Sequence, residues 1–195
     1  MEKLSKQFEF LKEIEKLKTV IRRTFILDES RCENDAEHSW QVAVMALIFS
    51  EYADTQQLDM LKVLKILLFH DAVEVYAGDT YLYDAVAAET QSQREIEAAG
   101  KLFGLLPDSQ QREFRELWEE YEEGKTAEAK YARAIDRFQP FWHNYMTRGK
   151  AWQKHGVHAS QVRKMMEKIE AGSGFLFSHA ESLLADAVKK GYLPE

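Results

Sequence analysis

Breaks are scarce in this chain: nine glycines and three prolines are spread over 195 residues. A β architecture needs a turn every few residues and spends Gly and Pro on them, whereas long helices do not. The chain is therefore read as all-α. With 45% of its residues apolar and 30% charged it has the makings of a globular core. We expect one domain over residues 1–195, made of about seven or eight helices with strands absent.

Periodicity places the helices. Leu4, Phe8, Leu11, Ile14, Leu17 and Ile21 recur at spacings of three and four, one apolar stripe on a first helix that ends near Arg22-Arg23. A second helix starts near Asp35 and is apolar almost all round, the pattern of a buried, central helix. A third takes Asp59 as its cap and runs through Leu61, Leu64, Leu67 and Leu68 into FHDAVEVYAG, with Gly78 as its end. Further helices follow from about Ala87 to Phe103, from Pro107-Asp108-Ser109 to Gly124, from Thr126 to Arg148, from Ser160 to Glu170 and from Phe175 to Lys190. Pro140 should bend or interrupt the longest of them, because it removes an amide donor.

The formal net charge of −7 argues against broad nucleic-acid binding, which needs clustered Lys and Arg. It leaves room for a small anion, since a few arginines and a metal can dominate the field inside a cleft. No apolar run approaches the roughly 20 residues that span a bilayer. The N-terminal segment has acids spread through it and reads as an amphipathic helix, not a signal peptide. A single cysteine, Cys32, forms no internal disulfide, which fits a reduced cytoplasmic protein without a membrane partner.

Four polar residues interrupt apolar helices. His70 and Asp71 sit inside ILLFHDAVEVYAGD, His38 inside AEHSWQVA, and Asp136 inside YARAIDRF. One histidine on an apolar face is usually a hydrogen-bonded core residue; four such intrusions call for a common cause. Burying these groups unpaired would cost several kcal/mol, which a bound cation offsets. Two imidazoles and two carboxylates suit one divalent ion, Mn²⁺, Co²⁺, Fe²⁺, Ni²⁺ or Zn²⁺, with waters completing the shell. Four protein ligands leave positions for a water and a substrate oxygen. On a helix Glu74 shares the cleft with His70 and Asp71. From the residues alone, Glu74 is equally a partner orienting His70, and Asp79 a cap after Gly78. The cluster of Trp142, His143, Asn144 and Tyr145 with Trp152, His155 and His158 reads as mixed packing, a subunit contact or pocket lining.

His…His-Asp…Asp resembles the HD-domain phosphohydrolase superfamily. The pieces EHSWQVA, FHDAVEVYAGDT and AIDRFQP are similar to the subgroup that includes five-prime deoxynucleotidases. The resemblance implies a helical core with His38, His70, Asp71 and Asp136 as metal ligands, and Glu74 and Asp79 as acids near the attacking water and the leaving oxygen. It places Arg23 where the nucleotidase has a phosphate-contacting arginine, and leans toward a homodimer. Thr24 stands where that enzyme carries a tryptophan against the deoxyribose. Some superfamily members hold two metals with extra histidines between His-Asp and the last Asp. None lies between Asp71 and Asp136, so one ion is expected. The implied activity is phosphomonoester hydrolysis of nucleoside or deoxynucleoside 5'-monophosphates. The alternatives are another phosphate ester or nucleotide-derived signal as substrate, or a nucleotide sensor that keeps its metal without turnover.

Overall fold

The computed structural model describes every residue except Asp84, and only the backbone over 85–88. Helix α1 spans Glu2–Ile14 and passes through a 3-10 turn, Glu15–Thr19, into strand β1 (Ile21–Phe25). Strand β2 (Cys32–Asn34) returns antiparallel to it, Ile21 opposite Asn34 and Phe25 opposite Cys32. Helices α2 (Asp35–Ile48), α3 (Met60–Phe69), α4 (Glu74–Ala77), α5 (Ala85–Phe103), α6 (Asp108–Glu123), α7 (Ala127–Met146), α8 (Lys150–His155), α9 (Ala159–Glu170) and α10 (Gly174–Lys189) follow.

The helical class holds, but the expected absence of strands does not. Residues 21–25, IRRTF, alternate in burial: Arg22 and Thr24 turn inward while Ile21 and Arg23 are exposed. That period of two is what an extended segment imposes, and its β-branched and aromatic members favour it over a last turn of helix. The first helix therefore ends well before Arg22. Its apolar stripe is not a core face either: Leu4, Phe8 and Leu11 are exposed, and Phe10 is the residue it buries.

Helix α2 starts on a capping box, Asn34 accepting from the Glu37 amide while the Glu37 side chain returns to the Asn34 amide. It is less central than its composition promises, since Trp40, Leu47 and Ile48 are exposed. The predicted third helix is split. α3 stops at Phe69, residues 70–73 form tight turns, and α4 supplies one more turn before Gly78 at φ +76. Helix α7 runs through Pro140 without a break. Pro140 has no N–H, so the Asp136 carbonyl four residues earlier loses its helical donor. The largest core lies where α7 meets α2, α3, α9 and α10, around Val42, Leu67, Ile135, Phe141, Trp152 and Met166. A smaller core under α5 and α6 gathers Phe10, Val73, Leu102, Phe103 and Trp118. Among the described residues no helix is long and apolar enough to cross a membrane.

Candidate metal centre

Three elements deliver four side chains to one point. α2 contributes His38, α7 contributes Asp136, and the turn that ends α3 contributes His70 and Asp71. Their ligand atoms close a ring. His38 Nε2 lies 3.0 Å from Asp136 Oδ1, which lies 3.3 Å from His70 Nε2; that nitrogen is 3.2 Å from Asp71 Oδ2, itself 3.7 Å from His38 Nε2. Nitrogen and oxygen thus alternate around a square. Ligands at about 2.1 Å from an octahedral ion would stand about 3 Å apart along each edge; three edges of this distorted square, at 3.0 to 3.3 Å, match that spacing.

The tautomers fit as well. His70 Nδ1 donates to the Leu67 carbonyl at 2.8 Å, so its Nε2 carries the lone pair, and this buried atom has no hydrogen-bond partner among the described residues. The Gln139 amide nitrogen donates to Glu33 Oε2 and to Gln41 Oε1, both at 2.8 Å. Its Oε1 is thereby turned to His38 and accepts from His38 Nδ1 at 3.0 Å, which puts the lone pair of the neutral ring on Nε2, the atom that faces Asp136 Oδ1. A cation is what two such lone pairs between two carboxylates would accept.

Asp136 is held from behind by Tyr121, whose hydroxyl donates to Oδ2 at 2.5 Å, and by Arg137 Nη1 at 2.8 Å. Burial works against its charge, but Arg137 and the two histidines keep the carboxyl well below the usual range. Burial likewise opposes the charge on Asp71, and His70 and Arg22 overcome it. On His70 burial opposes the proton, yet Asp71 and Asp136 raise the imidazole to about 10. The two carboxylates thus favour positive charge at the imidazole, a demand that a divalent ion meets.

Beyond the square lie more acids. Asp35, Asp71 and Glu74 bring carboxyl oxygens within 4.8 Å of one another. Burial first, then Asp71 and Asp35, push Glu74 well above the carboxylate range, with Arg22 opposing. Asp79 is raised too, chiefly by burial. Both face a cavity of about 360 Å³ that opens from His70 and Asp71 and is also lined by Arg23, Thr24, Tyr81 and Asn144. The volume is that of a small-molecule site.

Five of the seven residues singled out in the sequence, Arg23, His70, Asp71, Glu74 and Asp79, line the cavity, and His38 and Asp136 lie behind His70 and Asp71. His38, His70 and Asp71 bring ligand atoms within 4.8 Å of one another, Asp136 closes the ring through the two histidines, Glu74 joins Asp71, and Asp79 and Arg23 line the walls. Arg23 stacks its guanidinium over the Tyr81 ring at 5.3 Å. Sequence reasoning missed Arg22, whose Nη1 donates to Asp71 Oδ2 at 2.7 Å and Asp35 Oδ1 at 3.1 Å. It also missed Glu33, Asp35, Tyr121, Arg137 and Gln139. The dense charge of the CENDAEH segment was the available signal for the first two.

A sequence model of the HD domain family matches residues 14–174. The chain belongs to this family. Among solved structures, this HD-domain protein is similar to a predicted metal-dependent phosphohydrolase from Magnetospirillum magnetotacticum MS-1, 46% identical, with a TM-score of 0.94 and 100% of both chains covered. An HD-domain phosphohydrolase from Listeria innocua shares the fold at 16% identity and a TM-score of 0.71. The 5'-deoxynucleotidase HDDC2 of Bos taurus is 35% identical over 130 residues, which are 66% of this chain and 62% of that protein. The HD-domain chain thus spans less than two thirds of the length of that relative.

Proposed function

We propose that this chain is a metal-dependent phosphohydrolase that cleaves deoxynucleoside 5'-monophosphates, with one divalent ion held by His38, His70, Asp71 and Asp136. The observation that carries the reading is the N/O square opening onto a cavity of substrate size. The similarity to the bovine deoxynucleotidase supports the substrate class, and the likeness to the Magnetospirillum phosphohydrolase supports the reaction. The ion is drawn from Mn²⁺, Co²⁺, Fe²⁺, Ni²⁺ and Zn²⁺, all of which accept mixed imidazole and carboxylate donors.

When bound, such an ion supplies Lewis acidity toward a phosphoryl oxygen and lowers the pKa of a water toward about 7. The side chains do the rest. Glu74, whose affinity for a proton is raised by burial and its acidic neighbours, stands beside Asp71 to exchange a proton with the reacting oxygens. Asp79 stands on the same wall and shares that role. Arg23, on the cavity rim, offsets the phosphate charge. Thr24 is buried and lines the cavity, so the sugar meets a small hydroxyl side chain there.

The exposed apolar residues of α1 and α2 favour a homodimer, and the free Cys32 fits a reducing cytoplasm. The test is phosphate release from a panel of deoxy- and ribonucleoside monophosphates, di- and triphosphates after chelation and after each metal is restored. Release from deoxynucleoside monophosphates only with metal present is expected. Undiminished release from chelated protein, or full metal content and activity in His70→Ala, would sink the assignment. Release from another phosphate ester alone would move the substrate, and tight binding without turnover would make the chain a sensor.

A further inference from the structure

For two of the four square residues, His38 and Asp71, the contacts behind them lead to one side chain. Glu33 sits on β2 and is 1% exposed. Its Oε2 accepts from Gln139 Nε2 at 2.8 Å, and Gln139 fixes the tautomer of His38. Its Oε1 forms an ion pair with Arg22 Nε at 3.4 Å without a hydrogen bond and lies 3.7 Å from His38 Nδ1, and Arg22 Nη1 donates to Asp71. His38 and Asp71 face each other along one edge of the square, at 3.7 Å. A single buried carboxylate on a hairpin is thus linked by one arm, through Gln139, to an imidazole on α2 and by another, through Arg22, to a carboxylate after α3.

We propose that Glu33 is the positioning residue of the metal centre, setting the His38–Asp71 edge through Gln139 and Arg22. The inference rests on the proposed metal site and goes beyond it, because Glu33 is neither one of the four ligands nor part of the cavity lining. The alternative is that Glu33 merely neutralises Arg22 in the core. The two differ in what an amide would do. Gln at position 33 matches the shape but offers one acceptor oxygen, so it serves Gln139 or Arg22 and turns an NH₂ group toward the other. Either choice breaks one arm. A group that orients a metal ligand is worth roughly 10- to 100-fold in metal affinity.

The experiment is titration of the metal-free full chain with Mn²⁺ and Co²⁺, read by calorimetry and by the visible spectrum of bound Co²⁺. Wild type, Glu33→Gln and Gln139→Leu are compared, with the melting temperature of each metal-free protein as a record of folding. Glu33→Gln should bind roughly 10- to 100-fold more weakly with a changed Co²⁺ spectrum. Gln139→Leu, which cuts only the His38 arm, should weaken binding less. Should Glu33→Gln prove unfolded, a weaker Kd and altered spectrum in Gln139→Leu carry the proposal. Wild-type Kd and spectrum in Glu33→Gln, or in Gln139→Leu, overturn it even if the melting temperature falls, since that is neutralisation alone. A wild-type chain that binds neither ion overturns the metal reading itself, and this one with it.

Discussion

Arg22 sits among Glu33, Asp35 and Asp71 with only 11% of its side chain exposed. Burial works against its charge, but these acids raise the guanidinium well above its ordinary range. Removing it leaves buried carboxylates without a counter-ion, a change worth about 3–5 kcal/mol. Arg22→Ala should lower the urea midpoint of the metal-free protein accordingly, whereas Arg23→Ala, at an exposed position, should stay within about 0.5 kcal/mol. Equal losses in the two would contradict the inward turn of Arg22. Asp35 gives the same cluster a pH signature. Burial, then Asp71, push it up to about 6, while an unfolded chain holds aspartate near 3.9. Between those values the folded protein keeps a proton that the unfolded chain has released, so stability falls as pH rises from about 4 to about 6. Glu74, raised in the same direction, adds to the fall. Urea titrations of metal-free protein at both ends of that window should show the loss, and Asp35→Asn should shrink it; a stability that rises across the window would refute the assignment.

At the scale of elements, the close packing of α9 on α7 depends on the turn between α9 and α10. A Cβ at Gly172 would meet the Lys130 carbonyl oxygen and the Ala134 side chain of α7. Gly172→Ala should therefore cost about 1–3 kcal/mol by forcing the turn away from α7, read as a lower melting temperature. An unchanged melting temperature would mean the turn yields freely. Most helices were legible because their signals are local: Asp59 and Thr126 cap α3 and α7, Gly124 closes α6 in the left-handed region, and the apolar spacings continue between them. The hairpin was not. Its loop contains neither Gly nor Pro, and the positive φ falls on Glu29. Without the hairpin, Arg22 and Arg23 cannot be assigned to opposite faces; the family resemblance points to Arg23, and nothing local in the sequence points to Arg22. The four square residues stood out because charge on apolar helices is costly. Gln139, Tyr121 and Glu33 act by where they sit in space, and neighbours from other elements leave no trace in local spacing.

For the whole molecule, a cation that binds the folded chain and not the unfolded one stabilises it by mass action. At a hundredfold excess over Kd the gain is about 2.7 kcal/mol, which for a chain of this size raises Tm by about 5–10 °C. Thermal melts with chelator and with Mn²⁺ should differ by that much, and His70→Ala should erase the difference. Equal shifts in both proteins would place the ion elsewhere.

The square also bears on the order in which the chain folds. His38 and Asp136 are 98 positions apart in sequence, and α2, α3 and α7 must already be docked before their side chains can share one ion. Contacts of such separation close late, after most loop entropy has been lost. An ion that is bound only then lowers the native state and leaves the transition state nearly where it was. Added metal should therefore slow unfolding many-fold in stopped-flow experiments while leaving the refolding rate almost unchanged, so that the ion acts as a latch on a structure the helices have already built.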